Sequence, residues 1–254
     1  MTKKLIAFDL DDTLAPSKSP LPEEMADLVA RLLEVAHVGI ISGGRYEQFA
    51  KQVIAPVSSH SGAQVQRLHL MPTCGTQYYR FRNGQWERVY AEDLTDAEKQ
   101  EAIASLETQA KRLGFWPEKT WGPIIEDRGS QITYSALGQQ APIEAKSAWD
   151  PTSAKKNALR QAVQADLPDL DVHAGGTTSI DITRQGIDKA YGMRKLIDVT
   201  GIPAADMLFV GDRLDPDGND YPVKAMGIDT HAVTGWPDTA AFLRELIPQL
   251  GAEA

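Results

Sequence analysis

Near its start the chain reads Leu5-Ile6-Ala7-Phe8-Asp9-Leu10-Asp11-Asp12-Thr13. Four consecutive apolar residues are typical of a strand buried on both faces of a parallel sheet. Acidic residues follow directly, and parallel sheets bind ligands at the carboxyl ends of their strands. Because Asp9 and Asp11 stand two positions apart, they leave the strand on the same side and can face one pocket. These residues therefore predict an α/β protein with an acidic site at the end of its first strand.

The sequence beyond this motif alternates between strand and helix patterns. Apolar residues recur at helical spacing, and short apolar runs between them are typical of buried strands. The same alternation returns near the C-terminus. Helices are predicted over residues 22–36, 45–53, 190–199 and 239–250, and buried strands over 38–41, 207–210 and 231–233. Strand–helix alternation predicts a right-handed, parallel α/β unit.

The middle of the chain has a different pattern. Residues 77–89 alternate in polarity around Asn83-Gly84, which indicates a hairpin. The strands predicted here are polar on one face and are joined by helices, as in an α+β domain with an antiparallel sheet. Helices are predicted over 96–113 and 151–165, and strands over 132–135 and 179–182. We expect an inserted domain over residues 86–186, with residues 1–85 and 187–254 forming the core.

The composition limits the possible classes of protein. The 254 residues are 42% hydrophobic and 24% charged, as in an ordinary globular protein. No apolar run reaches the roughly 20 residues of a membrane helix, and no signal peptide is expected. A net charge of -9 argues against general binding to nucleic acids or anionic membranes. The single cysteine, Cys74, excludes an internal disulfide and a cysteine-rich zinc site. We expect a cytoplasmic protein that binds a small molecule.

Two further motifs are suited to an anion. Ser42-Gly43-Gly44 ends the second strand just before a helix, where backbone N–H groups can bind a phosphate. Lys189 opens a later helix, although a cation there opposes the helix dipole, and a nearby phosphate would resolve that conflict. Taken singly, the first motif is also a common turn, and the second is also an ordinary surface lysine.

An acidic loop follows the strand at 207–210 and reads Gly211-Asp212-Arg213-Leu214-Asp215-Pro216-Asp217-Gly218-Asn219-Asp220. Close carboxylates repel one another unless a cation neutralises them, and an oxygen-rich site of this kind suits Mg²⁺. A calcium EF-hand is excluded because the glycine falls one place too early and no glutamate follows at the required spacing. For the Asp9–Asp11 pair taken alone, a solvated acidic turn is the alternative interpretation.

In this order the motifs resemble the haloacid dehalogenase superfamily of phosphotransferases. Its opening signature matches Asp9 to Thr13, and its closing signature matches Gly211-Asp212 with Asn219-Asp220. The insert resembles the larger α/β cap of the sugar phosphatases of the Cof kind and of the eukaryotic-type phosphomannomutases, and the latter are the most similar. Gly175-Gly176-Thr177-Thr178-Ser179-Ile180-Asp181-Ile182 is similar to their cap strand. The resemblance implies a Rossmann-like core with an inserted cap and one cofactor, Mg²⁺.

The resemblance also implies a role for individual residues. Asp9 would be the nucleophile that forms an aspartyl-phosphate, and Asp11 the general acid and base. Ser42, Gly43 and Lys189 would bind the phosphoryl group. The implied Mg²⁺ ligands are Asp9, Asp11 through its carbonyl, Asp212, Asp217, Asn219 and Asp220. The implied contacts to the substrate are Lys18, Arg128, Ser179 and Asp181.

The sequence departs from the mutase pattern at three places, and one of them is Asp12, where the mutases have a glycine after the second motif aspartate. It has Gly138-Gln139 where the mutases have Gly-Arg, and Pro16-Ser17-Lys18 where they have Pro-Arg. Fewer arginines hold a bisphosphate less well, which favours hydrolysis of a hexose phosphate such as mannose 6-phosphate. The alternative is a phosphomannomutase that interconverts mannose 1-phosphate and mannose 6-phosphate, and a non-catalytic phosphosugar-binding protein is a third hypothesis. The expected partner is a phosphorylated sugar, with no nucleic acid or membrane, in a monomer or homodimer.

Overall fold

The computed structural model describes residues 3–252 and divides the chain into two units. The first unit comprises Met1–Tyr90 and Asp188–Ala254, and the second comprises Ala91–Ile187. Both units combine helices with a sheet. No helix among the described residues is both long enough and apolar enough to span a membrane.

A seven-stranded sheet forms the centre of the first unit. The strands in chain order are β1 (Leu5–Phe8), β2 (His37–Ile41), β3 (Leu68–Met71), β4 (Gln77–Arg82), β5 (Gln85–Ala91), β10 (Met207–Gly211) and β11 (Asp229–Ala232). Their order in the sheet is β11-β10-β1-β2-β3-β4-β5. The pairs from β11 to β3 are parallel, whereas β4 is antiparallel to β3. The first apolar run is therefore a central strand, and all four of its residues are buried.

Helices cover both faces of this sheet. On one face α1 (Glu23–Val35) and α9 (Trp236–Ala252) pack in a core around Ile6 and Phe8. On the other face α7 (Lys189–Thr200) and α8 (Tyr221–Ala225) pack around Leu5 and Ala7. Alternate residues of β1 thus fill opposite cores, which is the reason for its uninterrupted apolar sequence.

The helix predicted over 45–53 consists of three segments. It begins as α2 (Tyr46–Phe49), continues as a π-helix over Ala50–Ile54 and ends as α3 (Ala55–Ser58). Its buried apolar side chains belong to the same core as α1 and α9. A wide turn of this kind leaves no mark in the hydrophobic pattern, so only the structure reveals it.

The second unit has its own sheet and core. The strands β6 (Ile125–Asp127), β7 (Ile132–Ser135), β9 (Ser179–Arg184) and β8 (Leu170–Ala174) form an antiparallel sheet in that order. Helices α4 (Asp96–Arg112) and α6 (Ala154–Asp166) pack on its apolar face, and a shorter helix is α5 (Ile143–Trp149). The expected α/β class with an antiparallel α+β insert is confirmed.

The hairpin at Asn83-Gly84 bears on the boundary between the units. Both residues have positive φ, 51° and 80°, as the tight turn of a hairpin requires. The second arm, β5, is a neighbour of β4 in the core sheet. The expected boundary at residue 86 would cut this strand, and the second unit instead begins at Ala91. Strand pairing places the hairpin in the core as far as Tyr90, which the local pattern could not indicate.

Candidate active site

Three of the motifs follow neighbouring strands of the core sheet. Asp9 follows β1, Ser42 follows β2 on one side, and Asp212 follows β10 on the other. The backbone N–H of Asp9 still donates to the carbonyl of Val210, 3.1 Å away, so the parallel ladder extends to the motif. Since these strands are parallel, their carboxyl ends bring the three motifs to one edge of the sheet.

Lys189 reaches the same place from the start of α7. Asp188 caps this helix by accepting a hydrogen bond of 2.7 Å from the N–H of Tyr191. The Nζ atom of Lys189 lies 2.7 Å from Oδ1 of Asp9 and 2.5 Å from Oδ1 of Asp220. Only 2% of the lysine side chain is exposed. The interpretation as an ordinary surface lysine is therefore wrong, because the ammonium group joins two buried carboxylates.

The electrostatics of this group reflect an excess of negative charge. Burial raises the pKa of Asp9 well above its ordinary value, Lys189 lowers it in part, and the charges of Asp220 and Asp212 raise it further. Burial also raises the pKa of Asp212, and Asp220 adds to that effect. Burial alone would lower the pKa of Lys189, but Asp9 and Asp220 reverse this and raise it overall. One buried cation thus faces three carboxyl groups.

This donor set fits Mg²⁺. Asp9, Asp212 and Asp220 each offer a carboxylate oxygen, and the three atoms lie within 4.8 Å of one another. Hard oxygen donors with uncompensated negative charge are what Mg²⁺ requires. Asp220 already binds Lys189 and accepts a 3.0 Å hydrogen bond from the N–H of Arg213. Asp9 and Asp212 therefore have more donor capacity left for a metal than Asp220 has.

The loop after β10 is held in a tight arrangement. Oδ1 of Asp212 accepts a hydrogen bond of 3.1 Å from the hydroxyl of Thr13. Gly218 is packed so closely that an added Cβ would overlap the carbonyl of Arg213. Of the implied metal ligands in this loop, Asp217 and Asn219 are exposed, and Asp217 is not part of the carboxylate cluster. The structure thus brings together Asp212 and Asp220 but leaves Asp217 outside.

Asp11 has different neighbours from those of Asp9. Its Oδ1 accepts hydrogen bonds from the N–H of Lys18, at 2.8 Å, and from Nε2 of Gln52, at 3.1 Å. Its Oδ2 accepts one from Nε2 of Gln48, at 3.2 Å. The backbone of Lys18 is therefore close to Asp11, whereas its side chain is exposed. None of the sequence motifs includes Gln48 and Gln52. Their signal is two glutamines four positions apart, on one face of the helix that follows Ser42-Gly43-Gly44.

The Ser42 loop is fixed by its neighbours. Ser42 is buried, and its Oγ accepts a hydrogen bond of 3.2 Å from the N–H of Gly44. The N–H groups of Thr73 and Cys74 donate to the carbonyls of Gly44 and Ser42, both at 3.0 Å. The serine hydroxyl and the glycine backbone are consequently held at the end of β2, where a phosphate would be bound.

The second unit carries a chain of polar side chains on one face of its sheet. Nε of Arg128 lies 2.7 Å from Oε2 of Glu126, and its NH2 group donates to Oε1 of Gln139 at 3.5 Å. Gln139 in turn donates from Nε2 to the hydroxyl of Ser135, which lies 2.9 Å from that of Ser179. Ser179 lies 44 positions from Ser135 in the chain, so the fold alone connects Arg128 with Ser179.

Asp181 lies on the same polar face. It is directly opposite Thr133, as Ser179 is opposite Ser135, so these side chains share one side of the sheet. The hydroxyl of Thr133 donates to Oδ1 of Asp181 at 2.7 Å. The apolar residues that alternate with them pack against α4 and α6. The structure therefore brings together Arg128, Ser179 and Asp181, the three implied substrate contacts of this unit.

Comparisons with known proteins fit this arrangement. A match to the family described as "Eukaryotic phosphomannomutase" spans residues 25–249. The chain belongs to this family. It is 24% identical to Phosphomannomutase 1 of Mus musculus over 259 residues, which cover 98% of this chain and 95% of the mouse protein. A second relative, the Phosphomannomutase of Encephalitozoon cuniculi, is 26% identical, with 93% of this chain and 90% of the relative covered.

Two solved structures have folds similar to that of this member of the phosphomannomutase family. The structure of Plasmodium falciparum IMP-nucleotidase matches with a TM-score of 0.74 at 17% identity, covering 98% of this chain and 69% of the nucleotidase. A haloacid dehalogenase-like hydrolase from Bacteroides thetaiotaomicron matches with a TM-score of 0.60 at 15% identity, covering 96% of this chain and 100% of the hydrolase. At these identities the likeness shows the fold alone.

The family settles one expectation and shifts another. The resemblance to the eukaryotic-type phosphomannomutases is confirmed, and so is the expectation of an enzyme of the phosphotransferase and hydrolase type. The fold is similar to that of a haloacid dehalogenase-like hydrolase. The preference for hydrolysis fits the relatives less well than its alternative, because the curated relatives are named phosphomannomutases. Arginine counts at two positions were too local a basis for that preference.

Proposed function

We propose that this protein transfers a phosphoryl group between positions of a hexose phosphate, as a phosphomannomutase that interconverts mannose 1-phosphate and mannose 6-phosphate. The observation that carries the proposal is the buried group of Asp9, Lys189 and Asp220 at the carboxyl edge of the core sheet. It supplies a carboxylate nucleophile beside a fixed cation, which is what phosphoryl transfer needs. The names of the relatives support mannose phosphate as the substrate.

The proposed reaction has two half-reactions. Oδ of Asp9 attacks one phosphorus of a hexose bisphosphate, and protonated Asp11 donates its proton to the sugar oxygen as the P–O bond breaks, which releases a hexose monophosphate. In the second half-reaction the free hydroxyl of a hexose monophosphate attacks the aspartyl-phosphate, which forms the bisphosphate again. The proton of that hydroxyl passes to the carboxylate of Asp11, and Asp9 is released. Ser42, Gly43 and Lys189 would hold the phosphoryl oxygens in both half-reactions.

We propose Mg²⁺ as the cofactor. Asp9, Asp212 and the carbonyl of Asp11 would hold it. Asp220 would fix Lys189 and the loop, and Asp217 and Asn219 would orient outer ligands. When bound, Mg²⁺ would neutralise negative charge on the carboxylates and on the phosphoryl group.

The polar face of the second unit would bind the sugar. Ser179 and Asp181 offer hydroxyl and carboxylate groups to sugar hydroxyls, and Arg128 offers a cation to a second phosphate. Its charge is shared with Glu126, 2.7 Å away. We include the side chain of Lys18 among the substrate contacts, because the Lys18 backbone is bound to Asp11.

Hydrolysis to a free hexose is the second candidate, and Gln139 is the observation that favours it. Its neutral amide lies beside Arg128 where the mutases that the sequence resembles have an arginine. An amide attracts phosphate less strongly than a guanidinium does. A bisphosphate intermediate would then dissociate sooner, and water would take the phosphoryl group from Asp9.

One experiment separates the two candidates. The protein is incubated with Mg²⁺, mannose 1-phosphate or mannose 6-phosphate, and a trace of hexose 1,6-bisphosphate. The isomeric sugar phosphate and free phosphate are measured in parallel, and Asp9→Asn is the control. Isomer that exceeds free phosphate and is absent in the control supports the mutase. Free phosphate without isomer supports the phosphatase. If neither the isomer nor free phosphate forms, the proposal is overturned.

A further inference from the structure

We infer that Gln48 and Gln52 are positioning residues that hold the carboxyl group of Asp11 for proton transfer, and that Oδ2 of Asp11 is the atom that carries the proton. The inference rests on the proposed function, since it concerns the residue proposed there as acid and base. It goes further by assigning a task to two glutamines that the motifs do not include and by distinguishing the two oxygens of Asp11.

The two oxygens of Asp11 have different numbers of hydrogen-bond donors. Oδ1 accepts from two donors, the N–H of Lys18 at 2.8 Å and Nε2 of Gln52 at 3.1 Å. Among the described residues, Oδ2 accepts only from Nε2 of Gln48, at 3.2 Å. A carboxylate oxygen has two lone pairs, so Oδ1 is fully used and Oδ2 has one free for a proton.

The two amides come from one turn of backbone, and their residues are 37 and 41 positions away from Asp11 in the chain. Gln48 lies in α2, and Gln52 lies in the π-helix that follows. Gln52 stands between the buried apolar residues Phe49 and Val53. Local π-helices are frequent at functional sites because their wider turn changes the direction of a side chain. A polar side chain in this apolar series is placed there for Asp11 and not for the core.

The amide group of Gln52 is fixed in one orientation. Its NH₂ group donates to Oδ1 of Asp11 and, at 2.7 Å, to the carbonyl of Ser19. Its Oε1 is buried without a hydrogen-bond partner among the described residues. Both neighbours of Nε2 are acceptors, so rotating the amide by half a turn would bring oxygen against oxygen. An unpaired buried oxygen costs stability, and an apolar side chain would avoid that cost.

Gly44 provides the room for the other amide. An added Cβ on Gly44 would lie 2.6 Å from Oε1 of Gln48, closer than two such atoms can approach. Glycine at position 44 thus leaves the space that the amide of Gln48 occupies beside Asp11.

The consequence for the reaction is specific. When the sugar P–O bond breaks and the bond from Asp9 to phosphorus forms, the proton leaves Oδ2 of Asp11 for the sugar oxygen. When the acceptor hydroxyl attacks, its proton returns to Oδ2 and the Asp9–phosphorus bond breaks. Oδ1 stays bonded to Lys18 and Gln52 throughout. Removal of either glutamine would hold the carboxyl group less firmly in its position, which slows proton transfer without changing the nucleophile.

The test compares two leaving groups. A sugar oxygen needs a proton as it leaves, whereas the acetate of acetyl phosphate does not. The variants are Gln48→Met, Gln52→Met and, as a matched control on the same turn, Lys51→Met, whose side chain is exposed. The rate at which Asp9 is phosphorylated is measured in single turnovers with Mg²⁺ and either a hexose 1,6-bisphosphate, the sugar phosphate of this comparison, or acetyl phosphate. Steady-state kcat and KM are measured with mannose 1-phosphate.

We expect the rate with the sugar phosphate to fall about 10-fold to 100-fold in each glutamine variant, since a positioned acid contributes about 10²-fold to 10⁴-fold. The rate with acetyl phosphate should stay within twofold, kcat should fall at constant KM, and Lys51→Met should match the wild type. An equal loss with both phosphates, or no loss with the sugar phosphate, would overturn the inference. If the wild type is phosphorylated by neither, the proposed function fails instead. Gln48 is only half-buried, so its variant keeps the test valid if Gln52→Met does not fold.

Discussion

Nζ of Lys189 lies 2.5 Å from Oδ1 of Asp220, and both side chains are almost completely buried. Asp220 also accepts the N–H of Arg213, so it connects the first residue of α7 to the loop after β10. The lysine ammonium thus has a fixed position beside Asp9 before any substrate binds. Preorganised charge of this kind supplies much of the rate of phosphoryl transfer.

Replacing Lys189 tests this arrangement. We expect kcat of Lys189→Met to fall at least about 10³-fold, because a protein cation that contacts the transferred phosphoryl group contributes about this much to the rate. Without Mg²⁺ the variant should also unfold with a free energy lower by about 3–5 kcal/mol, because Asp9 and Asp220 lose their buried partner. Turnover and urea unfolding measure the two effects. Arg194→Met, an exposed position on the same helix, is the control, and an active Lys189→Met would contradict the assignment.

Asp9→Asn should abolish formation of the phospho-enzyme while it stabilises the metal-free fold. Burial raises the pKa of Asp9, so the unfolded chain loses this proton at a lower pH than the folded chain does. Stability of the metal-free wild type should therefore fall as the pH rises from 4 through that raised pKa. The asparagine variant should lack this part of the decline. The thermal unfolding of both proteins is measured across pH 4–8, once with a chelator and once with added Mg²⁺. Identical pH profiles of the metal-free wild type and the metal-free asparagine variant would contradict the prediction.

His69 should make the protein less stable in mild acid. Its ring nitrogens lie 3.0 Å from Nδ1 of His37 and 2.8 Å from the hydroxyl oxygen of Tyr78. Burial, with smaller effects of His37 and Arg80, lowers the pKa of His69 from 6.5 to about 3. The unfolded chain therefore binds this proton first, and stability present above pH 6.5 is lost as the pH falls towards 3.

The size of the His69 effect follows from the two pKa values. The free energy of unfolding should decrease by about 2 kcal/mol between pH 7 and pH 5 through this residue. Urea unfolding at both pH values measures the difference. His69→Gln should remove this part, whereas His173→Gln, at an exposed position, should retain it. If His69→Gln keeps the whole difference, another group is responsible.

Gly75 should be essential for the packing of α7. It has a φ of 89°, and an added Cβ would lie 2.5 Å from Cα of Gly192. We expect Gly75→Ala to lower the free energy of unfolding by about 3 kcal/mol, from backbone strain and overlap together. Gly201 has a φ of 70° with nothing within 4 Å of an added Cβ, so Gly201→Ala should cost only about 1 kcal/mol. Equal losses would show that the close approach does not matter.

Gln139→Arg should shift the products towards the isomer. A guanidinium beside Arg128 would hold a second phosphate more tightly than the amide does. We expect the ratio of isomerised sugar phosphate to free phosphate to rise about 10-fold, which corresponds to about 1.4 kcal/mol. Gln140→Arg, one residue further along, is the matched control. An unchanged ratio would mean that Gln139 does not determine the fate of the intermediate.

The sequence by itself determined the α/β class, the order of the core elements and the carboxyl edge that carries Asp9, Ser42 and Asp212. These follow from local rules, since a buried strand needs an apolar run and parallel strands end at one edge. The antiparallel insert was also predictable, because its strands alternate in polarity.

Only the tertiary structure decided which side chains meet. Asp220 pairs with Lys189, and Gln48 and Gln52 reach Asp11, although the residues of each pair are far apart in sequence. The tertiary structure also places β5 in the core sheet. Asp217 has the same chemistry as Asp220 but lies exposed outside the cluster. Equivalent residue types in one loop are distinguished by the direction in which the packed backbone points them, and that direction depends on contacts between distant segments.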